Sequence, residues 1–241
     1  MTRMLVLLCL VMGVASCAPA PAPQLPASGA APRGAAAESV QRGAGRPQSV
    51  SDFKAVVRRV EPVAERTCRE LRPGLNCDFN VVVDERDGVP PNAFQTYDKN
   101  GRPAIVFTES LLKVMRNRDE LAFAFSHEAA HHIAGHIEQT RMSGTAGVLI
   151  GGLLGSLAGL DPASIEIAQN IGGTVGARQY SKSFELQADA LGAQIAQRAG
   201  YDPLVGVQYF QRSRDPGDQF LGTHPPNAER INVVRRTVAG R

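Results

Sequence analysis

The stretch at residues 119–136, DELAFAFSHEAAHHIAGH, decides how the rest of the chain is read. Leu121, Ala124, Phe125, Ala129, Ile133 and then Ile137 recur at helical spacing, and Asp119 is placed to cap the helix start. His131 follows His127 by four positions, so the two lie about 40° apart around the axis and one turn along it. Both imidazoles can therefore reach one Zn2+, with Glu128 beside them where an attacking water would sit. On the same wheel His132 and His136 fall about 140° and 180° from His127, and are expected to pack or face solvent.

A zinc site that keeps one position open needs a third protein ligand. The segment SKSFELQADALG, residues 181–192, offers it. Glu185 and Asp189 share one helix face, with Ala188, Leu191 and Ile195 available for packing. Glu185 can bind the metal. Asp189, one turn on, can accept the outer N–H of a ligating histidine and fix its tautomer.

Upstream, Ser51 can cap a helix carrying Phe53, Val56, Val57 and Val60, which Pro62 kinks or ends. Phe79 to Asp84 is a β-branched run and reads as a strand. Asn92 to Tyr97 and Ala104 to Thr108 flank a loop containing Asn100-Gly101, a hairpin signal. The expected fold class is α+β, mostly helical, with a small sheet or hairpin beside the histidine helix. The uncharged segment at residues 143–160, SGTAGVLIGGLLGSLAGL, is long enough to suggest a membrane span. One crossing would, however, put His131 and Glu185 on opposite sides of the bilayer. It is read instead as a loosely helical hairpin beside the cleft, touching membrane or covering the site.

The N-terminus reads as an address. Arg3, a short apolar run from Leu5 to Val14 and then small residues make a secretory signal, too short to span a bilayer, which takes about 20 residues. Val14-Ala15-Ser16-Cys17 resembles a bacterial lipobox, which makes residues 1–16 the signal and Cys17 the lipidated first residue. An ordinary cut near Ala18 is the alternative. By resemblance to Gram-negative sorting rules, Ala18 after the cysteine favours a periplasm-facing lipoprotein of the outer membrane. Residues 17–48, with six Pro and ten Ala between positions 18 and 48, bury too little apolar surface to fold and are expected to form a disordered tether. The folded domain is then 49–241. In an exported chain Cys68 and Cys77 most simply form a disulfide, the rival being a metal pair whose spacing fits no zinc knuckle.

Composition narrows the function. The 241 residues are 43% hydrophobic and 20% charged, with a formal charge of +3. Such a chain is too apolar to be wholly disordered and, lacking any basic run, is not expected to bind nucleic acid.

HEAAHHIAGH, SKSFELQADALG and THPPNAERI together, with PNAF at Pro91 to Phe94, resemble the gluzincin zinc metallopeptidases that include HtpX and the CAAX prenyl proteases. Within that family the likeness is to the periplasmic lipoprotein branch of LoiP and BepA, over about residues 50–238. The resemblance implies a zincin-like fold and one Zn2+ held by His127, His131 and Glu185, with Glu128 as catalytic base. It further implies that the edge strand at Asn92, Ala93 and Phe94 receives substrate as an added strand. His224 matches a family histidine near the metal, either polarising the scissile carbonyl or covering the zinc at rest. Prenylated substrates are not implied. The function expected is a metalloendopeptidase acting on unfolded or misassembled envelope proteins, with the membrane reached through the lipid and the envelope assembly machinery a further candidate partner. The alternative is a latent, self-covered protease acting mainly as a chaperone or adaptor. An accidental motif in a structural lipoprotein would bind no stoichiometric zinc.

Overall fold

The computed structural model describes residues 46–178, 181–214 and 225–240. The first helix, α1 (Val50–Leu71), is capped by Ser49 rather than Ser51. The Ser49 hydroxyl accepts from the Asp52 amide while Asp52 accepts from the Ser49 amide, a reciprocal capping box. Phe53, Val56, Val60, Val63, Ala64 and Cys68 make its buried stripe. Pro62 does not end it. The proline is exposed, so the carbonyl that loses its helical partner faces water, and the apolar stripe holds both halves on the core.

Three strands follow, β1 (Asn80–Asp84), β2 (Ala93–Tyr97) and β3 (Pro103–Thr108), in the order β1-β3-β2. β2 and β3 form the expected antiparallel hairpin. β1 pairs parallel to β3, with Val81 opposite Ile105. Cys68 and Cys77 are bonded through their sulfurs, tying the last turn of α1 to the chain entering β1.

After the short α2 (Glu109–Val114), α3 (Arg118–Ala134) crosses the core between α1 and α6 (Ser181–Arg198). Its cap is Asn117, whose side chain accepts from the Glu120 amide. Asp119 is buried instead, and accepts from the Asp202 amide at the start of α7 (Pro203–Gly206). The helix ends sooner than its apolar spacing suggests. Gly135 adopts φ 73°, a left-handed stop that glycine reaches without a Cβ penalty, and Arg72 donates to the Ile133 carbonyl at 2.8 Å.

From Gly135 the chain restarts as α4 (His136–Leu157) and returns as α5 (Pro162–Arg178). The segment 143–160 is thus not a hairpin in itself. It is mostly one continuous helix, and the hairpin is made with α5. No helix among the described residues is long and apolar enough to cross a membrane. The chain closes with α8 (Tyr209–Arg212) and α9 (Asn227–Val238), which packs on α6.

One contact sets how near α6 comes to the histidine helix. A side chain at Gly192 would stand 2.9 Å from the His127 amide nitrogen, so only glycine allows this approach. Gly192→Ala should cost about 1–3 kcal/mol of stability, the usual penalty for overpacking. A thermal melt equal to that of the unmodified protein would show that α6 can shift freely here.

Candidate active site

The long α3 carries two imidazoles whose Nε2 atoms lie 3.0 Å apart, those of His127 and His131. Glu185 enters from α6, 3.5 Å from His127 Nε2 and 3.3 Å from His131 Nε2. One ligand atom from each of these residues lies within 4.8 Å of the other two. Two imidazoles and a carboxylate form a donor set that suits Zn2+ and leaves a fourth coordination position. The residues fit the metal.

Each histidine has a second partner behind it. His127 Nδ1 meets Asp189 Oδ1 at 3.0 Å, and Asp189 is completely buried. Burial alone would lower the His127 pKa, but the Asp189 and Glu185 carboxylates outweigh it and raise the imidazole to about 10. His131 Nδ1 meets His136 Nδ1 at 2.9 Å, and His136 Nε2 meets Gln187 Oε1 at 3.2 Å. Burial, with His131 adding to it, pushes His136 down to about 3, so its ring is neutral and has a nitrogen free to accept. His136 also stacks on Phe184.

The helical wheel, drawn through one continuous helix, keeps His136 out of the pair, and His136 is outside the group that could hold a metal among the described residues. Gly135 breaks that helix, and the restart swings the imidazole back against His131. His132 does as expected: it is buried away from the cluster, its Nε2 2.7 Å from the Asn76 carbonyl.

Arg230 is the residue that sequence reading passed over. It lies in the NAER segment of α9, 7% exposed, with Nε and Nη2 each 2.7 Å from an Asp189 oxygen. Nη2 also stands 3.3 Å from Glu185 Oε2, and the guanidinium covers the Phe210 ring. Its charge and hydrogen bonds override the burial of Asp189 and hold that carboxylate below its usual pKa. The signal in the sequence was a charged residue at the inward position of an amphipathic helix, between Ile231 and Asn227.

A cleft of about 480 Å³ opens on this cluster, and Asn92, Ala93 and Phe94 line it together with His127, Glu128 and Glu185. β2 is an outer strand of the sheet, with Phe94 41% exposed. Glu128 is half-buried beside the histidines. His224 and Cys17 lie outside the described residues.

The sequence profile of peptidase family M48 matches residues 51–238. The chain belongs to peptidase family M48. Membership agrees with the expected likeness to the HtpX and BepA group of gluzincins, and it makes this mostly helical domain with its small sheet a zincin-like metallopeptidase fold. Among the relatives of this M48 chain, the beta-barrel assembly-enhancing protease of Yersinia pestis is 30% identical over 174 residues, which cover 65% of this chain and 34% of that protein. The mitochondrial metalloendopeptidase OMA1 of Saccharomyces cerevisiae is 26% identical over 176 residues, covering 69% and 48%. The protease HtpX homolog of Desulfatibacillum aliphaticivorans is 35% identical over 161 residues, covering 53% and 51%. The matches thus span from a third to half of those relatives' own lengths.

Proposed function

We propose that this M48 chain is a zinc metalloendopeptidase that hydrolyses unfolded or misassembled proteins of the cell envelope. The observation that carries the reading is the convergence of His127, His131 and Glu185 in a cleft that also holds Glu128 and an outer strand. His127, His131 and Glu185 would hold the metal. When bound, zinc supplies a Lewis acid that polarises a carbonyl and lowers the pKa of water towards 7. Glu128 accepts a proton from the attacking water and passes it to the leaving amine. An extended substrate pairs along β2 through backbone hydrogen bonds, a mode that favours unfolded chains and demands little of their sequence. His224 would assist by donating to the oxyanion.

Asp189 and His136 act behind the ligands. Asp189 accepts the outer N–H of His127, and His136 accepts that of His131 while donating its own N–H to Gln187. His136→Ala should therefore weaken zinc binding by about 10–100-fold, as loss of such outer partners usually does. An unchanged zinc Kd in a competition assay would leave His136 only its packing against Phe184.

After export directed by the N-terminal signal, lipidation at Cys17 and the Ala/Pro-rich tether would hold the domain at the periplasmic face of the outer membrane. The direct test is metal analysis of the purified protein beside digestion of an unfolded reporter such as casein. One zinc per chain and chelator-sensitive cleavage support the reading. Zinc without cleavage, but with capture of unfolded chains, would move it to a chaperone or adaptor, and absence of zinc would end it.

A further inference from the structure

The α4–α5 hairpin is built inside out for water. Its two helices pack mainly on each other. The seam between them is made of glycine and alanine: a side chain at Gly147 would strike the Gly172 carbonyl, one at Gly151 the Ala168 carbonyl, and one at Gly176 the Ser143 carbonyl. The large apolar residues point outward instead. Leu149, Leu153 and Leu157 stand at i, i+4 and i+8 on α4, each at least 60% exposed, with Ile150 and Leu154 beside them. Ile167, Ile171 and Val175 repeat the pattern on α5. A helix pair that folds against water puts its bulk in the seam, because that is where burial is gained. Small residues in the seam and bulk outside is the arrangement found where hydrocarbon surrounds the pair.

We propose that this hairpin is a membrane-contact element that lies in the lipid interface of the bilayer and brings the cleft to its surface. The occupant follows from three features. The large apolar side chains exposed from Val148 to Val175 are all aliphatic, with none of the aromatic residues that anchor protein interfaces, and Ser156, Asp161, Glu166, Asn170 and Thr174 are the polar residues exposed among them. No charged residue occurs from Ser143 to Leu157, whereas Arg141 and Arg178 are exposed at the base, where anionic headgroups would meet them. A lipid on Cys17, proposed above and 29 residues before Arg46, would keep the domain within reach of a membrane. Neither helix is long and apolar enough to span, so the contact is shallow, with Asp161 and Glu166 left at headgroup level. Because α4 begins at His136, the element is continuous with the backbone beside the metal-binding histidines.

The surface does not depend on the protease reading, and the test keeps the two apart. The mature full chain carrying Cys17→Ala, and so no lipid, is floated with vesicles of phosphatidylethanolamine and phosphatidylglycerol. It should float with the vesicles, and Leu149→Glu with Leu153→Glu should cut the floated fraction at least tenfold. Ile167→Glu with Ile171→Glu should do the same from the other helix. Zinc content, melting temperature and cleavage of unfolded reporter in solution should not change, since these side chains lie on the outer face. Failure of the Cys17→Ala chain to float, or equal flotation of the glutamate variants, overturns the proposal. So does a loss of self-association, or of capture of unfolded chains, with flotation unchanged: the first makes a second copy the occupant of the face, the second a protein client.

Discussion

Glu128→Gln should lower the rate of peptide hydrolysis by about 10²–10⁴-fold or more, the usual contribution of a positioned acid–base group. Stoichiometric zinc should remain. Glu128 lies in the cleft with the histidines but outside the set of donor atoms that converge. Its amide replacement keeps the shape and loses only the ability to take a proton. The loss should fall in kcat, with KM for an unfolded reporter little changed, because the strand-pairing surface at β2 is untouched. Retained turnover would move the base elsewhere, and loss of zinc would make Glu128 a ligand. Glu185→Ala is the contrast. It should lose metal first and activity as a consequence, so added zinc should recover part of the rate in that variant and none in Glu128→Gln.

The second large effect is expected at Arg230. Arg230→Met keeps an unbranched apolar stem but removes the guanidinium from Asp189, which is completely buried and loses two 2.7 Å hydrogen bonds. Breaking a buried pair in this way costs about 3–5 kcal/mol, because the buried carboxylate loses its guanidinium partner and is left to the His127 imidazole 3.0 Å away. For a domain of this size that corresponds to a fall in Tm of roughly 6–20 °C. Asp189 would then take up a proton more readily and hold His127 Nδ1 less well, so zinc affinity should fall as well. Adding Asp189→Asn removes the stranded charge and should restore part of the Tm. A double variant no more stable than Arg230→Met would show that the charge was not the cause.

The pair of histidines proposed to hold the metal was legible because a helix is a local object. Four residues in an amphipathic stretch place two imidazoles on one face whatever surrounds them. The same holds for Glu185 and Asp189 on α6, and for the β2–β3 hairpin signalled by Asn100-Gly101. Where local reasoning went astray, it extended one element through a residue that ended it, or ended one that continued. Gly135 stops α3 and changes the fate of His136. Pro62 fails to stop α1, because its ring faces solvent and the buried stripe on either side is held by α3. Capping positions slid by two residues at both Ser49 and Asn117, since several neighbouring polar residues can each serve as a cap.

The two partners that complete the cluster could not be read this way. Asp189 is tied to Arg230, 41 residues further on, and His131 to His136 across a helix break. Neither relation has a period or a spacing. What the chain's own local chemistry decides is which side chains can share a helix face, and that was enough to name candidate metal donors. Which face meets which is decided by packing. Gly192 lets α6 close on His127, α9 brings in a cation to neutralise Asp189, and the seam of α4 with α5 turns large aliphatic residues outward. These contacts join residues far apart in the chain, and it is the burial of many side chains at once, not any local preference, that selects them.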